Sequence, residues 1–209
     1  MKSELRLLAI VGPPVVELVD VVDACHEAIA GGVTAVQLRA KGTPAGALVA
    51  LARQLCATVS IPVWVNDRAD VALAAGARGV HVGADDLTPA AIRALAGDAL
   101  RVGMSVGDHR EAENALASAV DYWSVGAIYH TGTKPDAGTP IGPEGFRALA
   151  ALAPSGVPVM AIGGISPTNV TDILAAGACG VAVSSAIFGA PNVRDAAREL
   201  REIIDATLR

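Results

Sequence analysis

The chain has 209 residues, of which 52% are hydrophobic and 18% are charged, and its formal net charge is −5. This composition excludes a disordered chain, and the length is typical of one domain that spans residues 1–209. The negative charge and the aromatic content of 3% argue against nucleic-acid binding, because that function needs clustered Lys and Arg and rings on which bases stack.

The distribution of apolar residues and cysteines indicates the compartment. No apolar run is long enough to suggest a signal peptide or a membrane span. Cys25, Cys56 and Cys179 are far apart and form no CxxC pair, which argues against a disulfide framework or a zinc site. We therefore expect a cytoplasmic protein that does not associate with membranes and whose cysteines are reduced core residues.

Short apolar runs alternate with Ala-rich stretches along the whole chain. The runs are continuous rather than alternating, as expected of parallel strands covered on both faces. The predicted strands are Leu5–Val11, Ala35–Leu38, Ile61–Val65, Gly79–Val82, Arg101–Ser105, Tyr122–Ala127, Val157–Ile162 and Gly180–Val183. The predicted helices include Val16–Ala30, Pro44–Thr58, Pro89–Ala96, Arg110–Ala119, Pro143–Leu152, Pro167–Ala175 and Val193–Leu208, and several of them begin with proline.

Two folds fit eight strands that alternate with helices: a closed barrel and a doubly wound open sheet. An open sheet more often carries a GxGxxG motif after its first strand, where this chain has only Gly12-Pro13-Pro14. The eightfold repetition and the missing motif favour a (β/α)8 TIM barrel in one compact domain.

Polar residues collect directly after the predicted strands. Because the carboxyl ends of the strands meet at one rim of such a barrel, where barrel enzymes place their chemistry, these residues are expected to converge. They are Gln37, Arg39 and Lys41 after strand 2; Asn66 and Asp67 after strand 3; His81 and Asp86 at strand 4; Ser105 at strand 5; His130, Thr131, Gly132, Thr133 and Lys134 after strand 6; Gly163 and Gly164 after strand 7; and Ser184 and Ser185 after strand 8.

Lysine placement indicates an anionic substrate. The chain has three lysines, and two of them, Lys41 and Lys134, lie in these strand-exit loops. The same loops carry glycines and hydroxyls, a composition that holds phosphate oxygens with point charges and backbone N–H groups. Gly163-Gly164 and Ser184-Ser185 fit one phosphate site, although Gly163-Gly164 alone would also fit a tight turn.

Asp67 and Asp86 leave adjacent strands and are candidate Mg²⁺ ligands, since Mg²⁺ commonly binds one or two carboxylates together with substrate phosphates. Taken singly, Asp67 could instead cap the following helix, and Asp86 could pair with a surface arginine. Their combination with Lys41 and Lys134 favours the metal. His81 could be either a hydrogen-bonded core residue or a site residue, and His130 is a candidate site-lining residue.

These loops together resemble those of the thiamine-phosphate synthase family. The matching segments run in order from strand 2 to strand 8: Val36–Lys41, Val65–Arg68, Gly79–Asp86, Thr131–Lys134, Ala161–Ile165 and Val183–Ile187. Each segment is weak alone, and together they are specific. The chain departs from the family pattern at Ala40, where glutamate is usual, at Tyr129-His130, at Ser184 and at the end of strand 1.

The resemblance implies an enzyme that joins 4-amino-5-hydroxymethyl-2-methylpyrimidine diphosphate to a thiazole phosphate, giving thiamine phosphate and diphosphate. It further implies a homodimer, Mg²⁺ held by Asp67 and Asp86, and two phosphorylated small-molecule substrates. The residues it assigns to the pyrimidine diphosphate are Gln37, Arg39, Lys41, Asn66, Ser105 and Lys134. Those it assigns to the thiazole phosphate are Thr131, Gly132, Thr133, Gly164, Ser184 and Ser185.

Three other functions remain open at this point. A thiazole tautomerase-like paralogue would share the barrel without the full diphosphate site, and retention of Asn66, Asp67 and Asp86 argues against it. An aldolase on the same fold would need a desolvated lysine that forms a Schiff base. A barrel that only binds a phosphorylated ligand is the third.

Overall fold

In the computed structural model, which describes residues 1–133 and 138–209, the strands close into a parallel barrel. Each strand pairs with the next one along the chain, and the last pairs with the first. The strands are β1 Leu7–Val11, β2 Ala35–Leu38, β3 Val63–Asn66, β4 Gly79–Val82, β5 Arg101–Val106, β6 Tyr122–Val125, β7 Val159–Ile162 and β8 Val181–Val183. The predicted TIM barrel is confirmed.

Helices follow the strands and surround the barrel. Within the described ranges they are α1 Val21–Ala30, α2 Ala45–Thr58, α3 Ala69–Ala75, α4 Pro89–Ala96, α5 His109–Leu116, α6 Gly142–Ala150, α7 Val170–Ala175, α8 Ser185–Phe188 and α9 Val193–Thr207, with a short 3₁₀ turn at Leu18–Asp20 before α1. The predicted start of α4 is confirmed, since the Thr88 hydroxyl accepts a hydrogen bond from the Ala91 N–H and Pro89 occupies the first turn.

The helix predicted from Pro167 begins three residues later, at Val170. The side chain of Asn169 is the reason. Its oxygen accepts a hydrogen bond from the Ser166 N–H at 2.9 Å, and its nitrogen donates to the Gly164 carbonyl at 3.0 Å. These bonds hold the preceding residues in a turn, so the proline does not open the helix.

Two apolar layers stabilise the barrel. The larger lies between the outer faces of the strands and the helices and includes Val65, Trp123 and Phe146, all of which are fully buried. The smaller lies inside the barrel and consists of Leu5, Leu8, Ala35, Trp64, Tyr122, Met160 and Ala182. A barrel of eight strands has just enough interior for side chains to fill, so this inner cluster is a packed core.

Two aromatic rings occupy most of the inner cluster. Trp64 and Tyr122 pack edge to face with their ring centroids 5.0 Å apart. Gly79 and Gly103 make the room: a Cβ on Gly79 would lie 2.6 Å from Trp64 Cζ3, and a Cβ on Gly103 would lie 2.2 Å from Tyr122 Cε1. The bulk of the Tyr122 ring therefore requires glycine at 103, whereas glycine at 79 is required by Trp64 and also by the β5 backbone, since its Cβ would lie 2.3 Å from the Arg101 carbonyl oxygen.

The strand alternation places polar residues directly above this aromatic layer. Side chains two positions apart face the same side of a strand, so the residues that follow the inner layer also point inward. They form a polar layer below the carboxyl-end rim: Gln37, Asn66, His81, Ser105 and Ser124. The aromatic layer thus closes the bottom of the cavity at the carboxyl ends of the strands.

None of the helices in residues 1–133 and 138–209 combines the length and the apolar character needed to cross a bilayer.

The packing around Gly103 generates a stability prediction. Gly103→Ala should lower the free energy of unfolding by about 1–3 kcal/mol, because the added methyl group overlaps the Tyr122 ring in a filled interior. Gly46→Ala is the matched control, since Gly46 lies in α2 with open space around it, and it should be neutral or stabilising by up to about 1 kcal/mol. Urea unfolding of both variants checks this, and equal stabilities would contradict it.

Candidate active site

A cavity of about 790 Å³ opens at the carboxyl ends of the strands. It brings together most of the residues that the sequence analysis singled out: Gln37, Arg39, Lys41, Asn66, Asp67, His81, Asp86, Ser105, Thr131, Thr133, Gly163, Gly164, Ser184 and Ser185. His130 and Gly132 are exposed and do not line it. Lys134 lies outside the described residues.

Asp67 and Asp86 meet at one side of this cavity. Asp67 follows β3 directly, and its N–H donates a 2.8 Å hydrogen bond to the His81 carbonyl on β4. Its carboxyl group lies beside that of Asp86 and 3.3 Å from the Lys41 amine. Asp86 also accepts a 2.8 Å hydrogen bond from the Gly83 N–H. The arrangement is that of a shared carboxylate site with a cation beside it.

The helix-capping role considered for Asp67 does not describe the structure. The residue that caps α3 is Arg68, and it makes no side-chain capping bond. Asp67 itself has a φ of 64°, the left-handed region that Asp tolerates better than most side chains. This backbone turn directs the carboxylate toward Lys41 and Asp86 rather than toward the helix.

The charges of Asp67 and Asp86 make this carboxylate pair suited to binding a cation. Burial raises the pKa of the Asp67 carboxyl, and hydrogen bonding and repulsion from Asp86 raise it further, while Lys41 lowers it. Two carboxylates this close repel each other until a positive charge lies between them. Hard oxygen ligands of this kind are those that Mg²⁺ prefers, so the donor set fits a divalent cation.

The loop after β2 carries the cationic side of the cavity. The Arg39 N–H donates a 2.9 Å hydrogen bond to the Val11 carbonyl, which ties this loop to the end of β1. Close approach of the two loops depends on Gly12, where a Cβ would lie 2.4 Å from the Arg39 carbonyl oxygen. Ala40 does not line the main cavity; it lines a neighbouring recess of about 260 Å³ with Lys41 and Asp67.

The sequence left open whether His81 is a hydrogen-bonded core residue or a site residue. In the structure it is both: it is buried and hydrogen-bonded, and it lines the cavity. Its Nδ1 lies 2.8 Å from the Tyr122 hydroxyl, and its Nε2 lies 3.0 Å from the Ser105 hydroxyl. Tyr122 was predicted only as a strand residue. The glycine at position 103 in a predicted strand could have indicated that a bulky side chain from a neighbouring strand, here Tyr122, fills the space beside it.

The opposite side of the cavity is formed by the loops after β6, β7 and β8. Gly164 has a φ of 65°, and a Cβ there would lie 2.5 Å from the His130 carbonyl oxygen, so glycine lets the two loops approach. The Thr133 hydroxyl donates a 3.3 Å hydrogen bond to the Ser185 hydroxyl at the start of α8. Loops after strands 7 and 8 with a short extra helix are the usual phosphate site of TIM barrels.

Sequence analysis missed two carboxylates that also line the cavity, Asp108 and Glu111. Both are engaged in capping α5. Asp108 accepts a 2.8 Å hydrogen bond from the Glu111 N–H, and Glu111 accepts one of 2.7 Å from the Gly107 N–H. Their spacing, an acidic N-cap followed three residues later by Glu, is a capping-box pattern that is visible in the sequence.

The fold and this rim define a class of protein: a TIM barrel with a carboxylate pair and a set of glycine- and hydroxyl-bearing loops around one cavity. A family model described as thiamine monophosphate synthase matches residues 7–187. The chain therefore belongs to the thiamine monophosphate synthase family, which confirms the resemblance drawn from the loop segments.

Individual relatives agree with the family match. The chain is 45% identical to a thiamine-phosphate synthase of Moorella thermoacetica, over 92% of this chain and 90% of the relative. It is also 45% identical to a thiamine-phosphate synthase of Azorhizobium caulinodans, with coverage of 90% and 89%. The solved structure of a thiamine phosphate pyrophosphorylase from Pyrococcus furiosus superposes with a TM-score of 0.88 at 34% identity, covering 100% of this chain and 99% of that one.

The carboxylate pair generates a pH prediction. Because the pKa of Asp67 is raised in the folded protein, its proton stabilises the fold at acid pH, and that stabilisation is lost as pH rises through the folded pKa. Asp67→Asn should therefore raise the free energy of unfolding at pH 7 in metal-free buffer, and the gain should disappear on acidification. Asparagine tolerates the same left-handed backbone.

Asp70→Asn is the matched control for this measurement. Arg68 lowers the pKa of Asp70, so this carboxylate stabilises the fold above its unfolded pKa, and its loss should lower stability at pH 7. Urea unfolding between pH 4 and pH 7 in EDTA separates the two signs. Destabilisation by both substitutions would contradict the electrostatic description of Asp67.

Proposed function

We propose that the chain condenses 4-amino-5-hydroxymethyl-2-methylpyrimidine diphosphate with a thiazole phosphate in thiamine biosynthesis, and that it requires Mg²⁺ bound at Asp67 and Asp86. The observation that supports this proposal is that one cavity is lined by two different sets of groups suited to anions. The carboxylate pair with Lys41 lies on one side, and the glycine loop with Ser184 and Ser185 lies on the other. A transferase that joins two phosphorylated substrates needs such an arrangement.

The pyrimidine side holds the diphosphate that leaves. The bond between the pyrimidine methylene carbon and the diphosphate oxygen breaks, and the methylene carbon forms a new bond to the thiazole nitrogen. Bound Mg²⁺ would neutralise the charge that develops on the departing oxygen. Arg39 and Lys41 line the same side of the cavity and supply further positive charge, while Asn66 and Ser105 supply neutral hydrogen bonds.

The thiazole side holds the phosphate that stays. Thr131, Thr133 and Ser185 present hydroxyl groups, and Gly164 and Ser184 bring backbone close to the ligand. These groups bind and orient the thiazole phosphate, so that its ring nitrogen faces the methylene carbon. Orientation of two reactants in one cavity contributes much of the rate in such a reaction, and no side-chain nucleophile is required.

The rival functions fit the site less well. The names of the relatives favour the synthase over the tautomerase-like paralogue. For an aldolase, Lys41 would have to be buried and uncharged, whereas its side chain is 56% exposed and ion-paired to Asp67.

The metal requirement is tested with purified protein, both substrates and Mg²⁺, by measuring released diphosphate and thiamine phosphate. Activity should disappear in EDTA and return with Mg²⁺. Asp67→Ala and Asp86→Ala should each lower kcat/KM by about 100-fold or more, since each removes a ligand from the charge that stabilises the leaving group. Lys134→Ala is expected to remove most activity as well, on the sequence pattern.

Asp98→Asn is the control for these carboxylate variants, because Asp98 is exposed after α4 and does not line the cavity. Its kcat/KM should equal that of the unsubstituted protein. Full activity in EDTA, or in the Asp67 variant, would overturn the metal-dependent mechanism.

Substitutions in the two proposed anion sites should raise KM for different substrates. Lys41→Ala should raise KM for the pyrimidine diphosphate by roughly 10- to 100-fold, the range expected for one lost charge-assisted hydrogen bond. Gly164→Ala should instead raise KM for the thiazole phosphate by about tenfold or more, because the methyl group displaces the loop that holds the phosphate. Gly46→Ala should change neither constant. Equal effects of Lys41→Ala and Gly164→Ala on both substrates would contradict the division.

A homodimer remains part of this proposal on the family resemblance. Analytical ultracentrifugation tests it, with a sedimentation mass of twice 21.0 kDa as the expected result.

A further inference from the structure

Asn169 makes two side-chain hydrogen bonds to the residues that follow β7. Its Nδ2 donates to the Gly164 carbonyl at 3.0 Å, and its Oδ1 accepts from the Ser166 N–H at 2.9 Å. Because a carbonyl can only accept and a backbone N–H can only donate, these two partners determine the orientation of the amide group. Asn169 therefore connects the start of α7 to the glycine loop in front of it.

The direction of these bonds differs from that of an ordinary helix cap. An asparagine at the N-cap usually accepts a hydrogen bond from an N–H in the first turn of its own helix, and this bond stabilises the helix. Asn169 is the N-cap residue of α7, yet its side chain makes no such bond. Both of its hydrogen-bonding atoms are engaged by residues that precede it in the chain. Its side chain thus stabilises the loop rather than the helix.

The bond from Asn169 fixes one peptide group in the cavity wall. Gly164 and Ile165 line the cavity, whereas Asn169 does not. In a trans peptide the C=O and the N–H point in opposite directions. Since the Gly164 carbonyl is directed to Asn169, the Ile165 N–H of the same peptide is directed the other way. No residue in the described part of the chain accepts a hydrogen bond from this N–H, so it is available to a ligand.

The preceding peptide group is held in the same way by the main chain. The Gly163 carbonyl accepts a 3.0 Å hydrogen bond from the Tyr129 N–H, and the Gly164 N–H of that peptide has no partner among the described residues. Successive backbone N–H groups in a turn form a concavity that binds anions. Asn169 makes the one side-chain hydrogen bond to these two carbonyls within the described ranges, so it is the position where a substitution can release the arrangement.

Glycine makes the second peptide group easy to turn over. Gly164 has a φ of 65°, and without a Cβ it can adopt either sign of φ. A turned peptide would present the Gly164 carbonyl oxygen to the cavity in place of the Ile165 N–H, and a carbonyl oxygen repels a phosphate. A side chain that holds the carbonyl before the ligand arrives removes this alternative and preorganises the site.

From this geometry we infer that Asn169 is a positioning residue for the thiazole phosphate: its amide holds the Gly164 carbonyl so that the Ile165 N–H faces the phosphate. The inference rests on the proposed function for the identity of this ligand. Asn169 acts through the main chain, since it does not line the cavity itself. Loss of its amide should therefore weaken binding of the thiazole phosphate and leave the pyrimidine side of the cavity unchanged.

The phosphate contact can be measured without turnover. Inorganic phosphate is titrated into ¹⁵N-labelled protein while the amide resonances of Gly164 and Ile165 are followed. Both resonances should shift and saturate in the unsubstituted protein. In Asn169→Ser the apparent Kd from these shifts should rise about tenfold, as expected when a donor to a charged group is no longer held in place. An equal Kd in the two proteins, or no shift of Ile165, would overturn the inference even if the protein proves to be an active synthase.

Two substitutions separate positioning from helix capping. Serine and aspartate are both favoured at a helix N-cap, but neither carries the amide N–H that donates to the Gly164 carbonyl. KM for the thiazole phosphate should rise about tenfold in Asn169→Ser and in Asn169→Asp, whereas KM for the pyrimidine diphosphate should change less than twofold. An unchanged thiazole KM in both variants would show that Asn169 only caps α7. A rise in Asn169→Asp alone would show repulsion by the new charge, and either result would overturn the inference.

Thr168→Ala is the matched control in the same turn. The exposed Thr168 hydroxyl lies 2.9 Å from the Ser166 hydroxyl, and this hydrogen bond does not involve Gly164 or Ile165. The substitution should leave both KM values and the phosphate Kd unchanged. If it raised the thiazole KM as Asn169→Ser does, a general disturbance of the turn would explain the kinetics and the inference would fail. Absence of synthase activity in the unsubstituted protein would instead refute the proposed function, and the phosphate titration would still decide the role of Asn169.

Discussion

The packing of two aromatic rings inside the barrel is the constraint on which the rest of the site depends. Trp64 and Tyr122 fill the interior only because the adjacent strands offer glycine at 79 and 103. The filled interior makes a solid floor, so the next inward-facing residue on each strand lies at the bottom of an open cavity rather than in a core. The same packing brings a phenol into reach of His81. The packing of Trp64 and Tyr122 thus stabilises the barrel and also supports the polar layer above it.

The rim above this floor is organised by charge. Asp67 combines a left-handed backbone, partial burial and a like-charged neighbour, each of which is unfavourable in the free protein. Residues held against such costs are commonly functional, because a ligand that compensates them gains the corresponding affinity. Lys41 compensates only part of the repulsion, since the pKa of Asp67 remains raised, and the proposed Mg²⁺ would compensate the rest. The glycine loop across the cavity carries no such pair of like charges, which is consistent with its proposed role in holding the thiazole phosphate.

Much of the fold was readable from the sequence, because parallel strands covered on both faces produce continuous apolar runs. The bounds of β2 and β4 are those predicted, and α4 begins at its predicted Thr-Pro cap. Most of the residues that line the cavity were readable for a related reason: they follow strand ends, and all carboxyl ends of a barrel share one rim. The start of α7 was mispredicted because the Asn169 side chain, rather than the local proline signal, holds the preceding turn.

By itself, the sequence determined the barrel, the rim and the residue types that meet there, since periodicity and strand-end position are local properties of a chain. The tertiary structure alone decided which of those residues touch. It placed Asp67 against Asp86 and Lys41, left His130 exposed outside the cavity, and connected Tyr122 to Ser105 through His81. Such contacts join strands that are tens of residues apart, and their existence depends on ring size and glycine placement across the barrel interior, which no local pattern records.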